Sequence, residues 1–311
     1  MQLRDPIAVG PMLVLAFAVS QAFRDIYFGG VFQVLNFFEI ILLAFAAVTA
    51  VALSSYLLRT PEPFKRFRHA WPDLILANAT TTVAWIGYFF ALKFLEPAIV
   101  MTLFSAMGPI TVVALSFCGI HIAGRNRGSR SEPFLYVGLL TTVATLYWVV
   151  LSGRSGLAVP SFELAVGGLS LAVMSGISIT VSTLYSRRLN DQGIGADAVF
   201  ATRFLGIVAV AAIVVGTGDR PFAGIDGSAM MTLGLAAVAL IAVPSYLLQM
   251  GIARTSPLTV QTIRQIGPLC LLAAQALDPR IGFSVETLAC VVAYAGFVVG
   301  ANVMRYSRAA S

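Results

Sequence analysis

A chain of 311 residues that is 58% hydrophobic and only 11% charged, with a mean hydropathy of +0.88, lies outside the composition of soluble domains, where charged residues make up about a quarter. Its net charge of +6 invites a nucleic-acid partner. The basic residues fall instead in short loops between long apolar runs, which sets that class aside and reads as a polytopic membrane protein.

Ten apolar segments are expected, over about 7–23, 33–58, 71–92, 98–122, 134–152, 162–185, 197–217, 229–252, 258–277 and 284–304. Each is long enough to cross a ~30 Å hydrocarbon core as helix. The first is long and lacks a small-residue cleavage site, so no cleavable signal peptide is expected. Numbered by these segments, the loops sort the cations. Arg4, the 2–3 loop (Arg59, Lys65, Arg66, Arg68), the 4–5 loop (Arg125, Arg127, Arg130), Arg187, Arg188, Arg254, Arg305 and Arg308 fall on one side. Arg24, Lys93, Arg154, Arg220 and Arg280 fall on the other. The positive-inside rule then makes both termini cytoplasmic, which requires an even number of spans and agrees with ten.

In chain order, segment 1 carries Gln21 with Arg24 and Asp25 toward its outer end, where the interface can satisfy the pair. Segment 2 holds Glu39, expected about 9 Å in from the outside at 1.5 Å per residue, a candidate proton carrier whose alternative is a hydrogen-bonded helix tie. The connection from Arg59 to Trp71 is rich in proline and arginine and suits the anionic leaflet surface. Segment 3 presents Asn78, Trp85 and Tyr88 on one face, either as part of a substrate pocket or as packing. Segment 7 contains Arg203, and segment 8 has Pro244 in Pro244-Ser245-Tyr246, where the missing backbone donor suggests a hinge. Segment 9 places Gln261, Arg264, Gln265 and Pro268 at i, i+3, i+4 and i+7, one polar stripe on a helix. A charge there normally faces a water-filled cavity or a partner, so this stripe is the leading candidate for the working surface. Arg203 and Arg264 are each expected about 10 Å into the inner half of the membrane. A guanidinium facing a cavity suits a carboxylate, sulfonate or phosphate; the alternative for Arg264 is a structural cap.

The chain also repeats itself. Leu95-Glu96-Pro97 followed by Gly108-Pro109 matches Thr255-Ser256-Pro257 followed by Gly267-Pro268 at a nearly constant offset. Tyr27 aligns with Tyr185, Glu39 with Arg203, and Met101, Phe104 and Ser105 with Gln261, Arg264 and Gln265. Five helices used twice must insert with opposite orientation, which puts a substrate path between the halves near the midplane, with proline and glycine at corresponding positions as its pointer. The halves are 1–156 and 157–311. Pro97, Gly108, Pro109, Pro244, Pro257, Gly267 and Pro268, with Arg203, are read as structural or gating positions.

On these turns, the Gly-Pro pairs and Arg203-Phe204-Leu205 opening segment 7, the sequence resembles the drug/metabolite transporter superfamily, in its ten-helix branch of two EamA-type repeats. The resemblance covers nearly the whole chain. It departs from the usual pattern in having Glu39 where arginine is common, Gly-Pro where Glu-Pro is common, and Gln21-Ala22-Phe23 where a tryptophan is frequent. It implies an all-α membrane protein that exports or exchanges small metabolites, amino acids or drugs across the cytoplasmic membrane. The expected substrate is an amino acid or a related amphiphilic anion or zwitterion; the alternative is a cation exporter using Glu39. The expected partners are a small-molecule substrate and the bilayer, with the chain as a monomer or weak homodimer. Cys118, Cys270 and Cys290 are scattered singly, and His69 and His121 form no cluster, so neither cofactor nor metal is expected. Asp191 and Asp197 lack the spacing of a metal–diphosphate site, and no nucleotide loop or nucleophile motif occurs in a suitable context, which weighs against an intramembrane enzyme.

Overall fold

A computed structural model describes residues 6–60, 65–117, 132–219, 221–255, 260 and 263–309, and most of those residues are helical, with no strand among them. In bilayer, helices satisfy their own backbone polar groups, which is why an apolar chain of this kind folds as a helical bundle.

Helix α1 (Pro6–Val34) has 29 residues, about 43 Å at 1.5 Å per residue, and meets α2 (Phe37–Arg59) at Asn36. The Asn36 side chain accepts the backbone N–H groups of Phe38 and Glu39 at 3.1 and 3.4 Å, an N-cap that fixes the start of α2. This corrects the expected end of segment 1 near residue 23. The charged pair Arg24-Asp25 neutralises itself and so does not end the helix, which runs on to Val34. After a 3-10 turn at Lys65–His69 come α3 (Trp71–Phe94) and α4 (Pro97–Phe117). Pro97 opens α4, where its missing N–H has no helical role, and it holds Glu96 out of helical conformation.

Helix α5 (Glu132–Leu151) precedes α6 (Phe162–Asp191), capped by Ser161. The expected seventh span is broken into α7 (Ala196–Thr202) and α8 (Leu205–Gly216), with Arg203 and Phe204 at the break. The expected eighth span is α9 (Gly227–Ala237), a π-helical turn (Val238–Ala242) and α10 (Val243–Arg254). Across the π turn the Val243 N–H reaches the Val238 carbonyl, a wider register that accommodates Pro244, which has no N–H to give. Helices α11 (Gly267–Gln275) and α12 (Val285–Ala309) complete the chain.

Among the described residues, eight helical stretches are long and apolar enough to cross a membrane by length and composition; Val285–Gly300 in α12 is apolar but shorter. Large apolar side chains such as Met12, Leu58, Phe134, Ile213 and Leu235 point outward, as suits a lipid-facing surface.

Helix α6 packs along α3 and α4, and α1 packs along α10 and α11. Helix α2 packs against α7 and α8, and α5 against α12. Glycine permits the closest approaches: a Cβ at Gly176 of α6 would sit 2.4 Å from the Phe104 carbonyl of α4, and one at Gly251 of α10 would sit 2.6 Å from Val14 of α1. Helices α3 and α6 run antiparallel, as Asp73 accepts the Gln192 amide at one end while Leu95 meets Gly168 at the other. The packed rings of Phe28, Phe32, Phe45, Phe89 and Phe204 fill the space between α1, α2, α3 and α8.

Candidate binding cavity

A cavity of about 340 Å³ lies between α1, α3, α4, α6 and α10, with Arg203 at the α7–α8 break and Arg264 completing its wall. The exposed residues Arg187 and Asp191, near the C-terminal end of α6, mark its mouth.

From α1 come Gln21 and Arg24, both buried although they sit in the interior of a long apolar helix. Arg24 donates from Nε and Nη2 to Asp25 Oδ1 at 2.7 and 2.6 Å. The Tyr88 hydroxyl of α3 donates to Asp25 Oδ2 at 2.5 Å, so both carboxylate oxygens are occupied. The guanidinium carbon of Arg24 lies 4.8 Å from the Trp85 ring centre and 5.6 Å from that of Tyr88, within cation–π range. Gln21 donates to the Met101 sulfur at 3.2 Å.

The opposite wall is less well satisfied. Arg203 is only 8% exposed, yet its Nε has no hydrogen-bond partner. Among the described residues neither Arg203 nor Arg264 forms an ion pair. Arg264 lies close enough to Arg203 and to Arg24 for each to repel it. Of the eight buried side-chain polar atoms without a partner among the described residues, five belong to residues of this cavity: Trp85 Nε1, Ser186 Oγ, Asn190 Oδ1, Arg203 Nε and Thr255 Oγ1. Buried polar groups are nearly always paired, so this concentration marks a place prepared for a ligand or water.

Of the residues expected to bind substrate, the cavity brings together Gln21, Trp85, Tyr88 and Arg264, and it adds Arg203. Gln265 borders a small side pocket with Arg264, Gly108 and Phe104. Gln261 and Pro257 lie outside the described residues. The single polar stripe expected in segment 9 is interrupted: Ile263 and Arg264 are helical, Gln265 and Ile266 form a turn, and α11 begins at Gly267 with Pro268 behind it. Gly267 is pressed against Met101, where a Cβ would come within 2.6 Å of its methyl group. Pro109 lies inside α4.

Asn78 lies elsewhere, donating to the Leu74 carbonyl and accepting the Gly206 N–H, both at 3.1 Å, so it caps the start of α8. Glu39 is likewise outside the cavity. It is the third residue of α2, not six residues deep, because the helix starts at Phe37, and it accepts the Phe222 N–H at 3.1 Å from the loop before α9. The expected alignment of Glu39 with Arg203 therefore joins a helix start to a mid-span break.

Two buried groups went unassigned in the sequence. Arg24-Asp25 was expected at an outer interface, and the signal against that is the apolar run Ile26–Val34 that follows it. The other is Glu96, 1% exposed in the turn between α3 and α4. Its Oε1 accepts the Gln275 amide at 2.6 Å, and its Oε2 accepts the Gly156 N–H at 2.8 Å and the Thr287 hydroxyl at 2.9 Å. Gln275 in turn accepts the Ala98 N–H at 3.2 Å. Burial pushes the Glu96 carboxyl above its ordinary range, against the lowering effect of those three donors. Nearby, the Gly282 N–H reaches the Gly156 carbonyl and the Ser284 hydroxyl reaches the Arg154 carbonyl, each at 2.7 Å. Arg280 pairs with Asp278 and donates to Gln33 and the Ile26 carbonyl at 3.1 Å. The end of the bundle opposite the cavity mouth is thus tied shut across α1, α4, α11 and α12.

No family model and no curated protein matches the chain. A protein of known crystal structure matches 96% of this chain and 97% of its own length, with a TM-score of 0.63 at 17% identity. At that identity the likeness shows a shared fold and nothing of activity.

Proposed function

We propose that the chain is a secondary transporter that moves a small organic anion or zwitterion across the cytoplasmic membrane by alternating access, and that it is a ten-span member of the drug/metabolite transporter superfamily. The observation that carries the reading is the buried cavity with unpartnered polar groups, open at the end bearing Arg187 and hydrogen-bonded shut at the end bearing Glu96. A site accessible from one end and sealed at the other is one half of an alternating-access cycle.

Two further observations support an inverted repeat with halves at 1–156 and 157–311. The roles of α1 and α6 are exchanged in the packing: α6 lies on α3 and α4, and α1 on α10 and α11. The cavity is lined by residues at corresponding positions of the two halves, Trp85 with Ser245, Tyr88 with Leu248 and Phe104 with Arg264. By the positive-inside rule the mouth faces the cytoplasm. The positive wall disfavours a cationic substrate, and Glu39, bonded to Phe222, offers such a substrate no site in the cavity.

The test is counterflow in liposomes containing the purified protein, with labelled amino acids and organic anions. Flux of at least one of these above protein-free vesicles, reduced about tenfold or more in Arg264→Ala, is expected from the loss of a buried charge contact. Flux at the unmodified rate in Arg264→Ala overturns the anchoring role; no flux of any anion or zwitterion overturns the transporter reading.

A further inference from the structure

The charge in the cavity does not balance, and the imbalance indicates what enters. Besides Arg187 at the mouth, three guanidiniums line it, Arg24, Arg203 and Arg264, and arginine keeps its proton in proteins. Asp25 lies directly behind Arg24 and answers it. At the mouth Arg187 and Asp191 are exposed, and water screens their charges. Among the described residues nothing offsets Arg203 and Arg264, which repel each other as well. Two uncompensated charges held in a low-dielectric site are costly unless a partner arrives.

An ammonium group finds no free buried carboxylate among the described residues of the cavity. Among the described residues Asp25 is the buried carboxylate beside the cavity, with one oxygen engaged by Arg24 and the other by the Tyr88 hydroxyl, and Asp191 stands in solvent. Of the unpartnered neutral groups, the Trp85 Nε1–H only donates, the Ser186 and Thr255 hydroxyls can donate, and Asn190 Oδ1 is a lone acceptor. The same cavity also presents apolar and aromatic side chains, Phe17, Trp85, Tyr88 and Phe104. The volume of about 340 Å³ falls in the range of small-molecule sites, enough for a small ring-bearing metabolite.

We propose that the substrate is a small dianion with an apolar or aromatic flank, a dicarboxylate or a phosphate monoester, clamped between Arg203 and Arg264 with its flank on Trp85, Tyr88 and Phe104. The inference rests on the cavity being the transport site and narrows its substrate from anions and zwitterions in general to doubly charged anions. Guanidinium forks bind carboxylate and phosphate oxygens bidentately, so two of them match two negative charges in geometry as well as number.

The test is equilibrium binding to the full-length purified protein at pH 8, by calorimetry, with a matched set: phenylsuccinate, phenyl phosphate, 3-phenylpropanoate and phenylalanine. At least one dianion binds about tenfold or more tighter than the monoanion, and phenylalanine binds more weakly still. A preference for phenyl phosphate places both guanidiniums on one tetrahedral group, and a preference for phenylsuccinate places them on separate carboxylates. Arg203→Gln and Arg264→Gln each abolish the preference for dianion over monoanion, while Arg264→Lys, which keeps the charge and controls for folding, retains part of it. Phenylalanine binding as tightly as the dianions, no dianion binding, or a dianion preference that survives both glutamine substitutions overturns the proposal. Counterflow separates the two readings: phenylalanine flux without dianion flux rejects the dianion and keeps the transporter, whereas dianion binding without flux keeps the dianion site and rejects transport.

Discussion

The bundle buries two polar clusters and treats them in opposite ways. Around Glu96 both carboxylate oxygens are engaged by donors from the segment between the halves, α11 and α12, and Gln275 closes the circuit on the Ala98 N–H. Around Arg203 several polar atoms are also buried, and they are unanswered. A satisfied network holds helices in one arrangement, while an unsatisfied one stores a demand that only a guest can meet. Between them stands Arg24-Asp25-Tyr88, complete in itself and forming one wall of the open site.

Substitutions should separate these clusters by the sign of their effect on stability. The largest loss is expected for Asp25→Asn, which leaves Arg24 buried without its counter-charge. Breaking a buried pair in this way costs about 3–5 kcal/mol, read as a lowered unfolding midpoint in detergent. Glu96→Ala orphans three donors and is expected to cost about 2–4 kcal/mol in the same measurement, with faster hydrogen exchange at Ala98. Arg203→Gln should behave in the opposite sense. Removing an unpaired buried charge leaves the midpoint unchanged or raised while anion binding is lost, and a drop as large as that of Asp25→Asn would show that Arg203 has a structural partner. Trp85→Phe keeps an aromatic face but removes the second ring of the indole together with its free N–H; packed against Phe45, Phe89 and Phe204, it is expected to cost about 1–2 kcal/mol while affinity falls severalfold.

The smallest effect concerns pH. Because burial raises the Glu96 carboxyl in the closed end, that end takes up a proton more readily than an opened, hydrated one. Closure is therefore favoured most at acidic pH and weakens as pH rises through the raised value. Ala98 exchange corrected for its intrinsic pH dependence should follow this course and lose it in Glu96→Gln.

The helical class and most spans were legible because long apolar runs admit few folds in a bilayer. The breaks were less legible. Arg203-Phe204 and the π turn before Pro244 depend on packing against α2 and α1, which hydropathy does not register. Trp85, Tyr88 and Arg264 could be picked out as polar or aromatic groups inside apolar segments, and the cavity gathers them. Arg24-Asp25 was misplaced because adjacent opposite charges look like a membrane edge, whereas a self-neutralising pair can continue a span. Asn78 and Glu39 show the converse. Each is polar within an apolar segment, and each spends its oxygen on a neighbouring backbone N–H, a pairing that no local pattern announces.

The most direct test of the account is cysteine accessibility at the two ends of the site, in a protein whose Cys118, Cys270 and Cys290 are replaced by serine. Ser245→Cys reports on the cavity and Ala98→Cys on the closed end beneath Glu96. With a water-soluble thiol reagent, the account predicts that Ser245→Cys reacts and Ala98→Cys does not, and that phenylsuccinate or phenyl phosphate protects the first while exposing the second. Labelling of both positions that is indifferent to either anion would contradict a dianion site with alternating access.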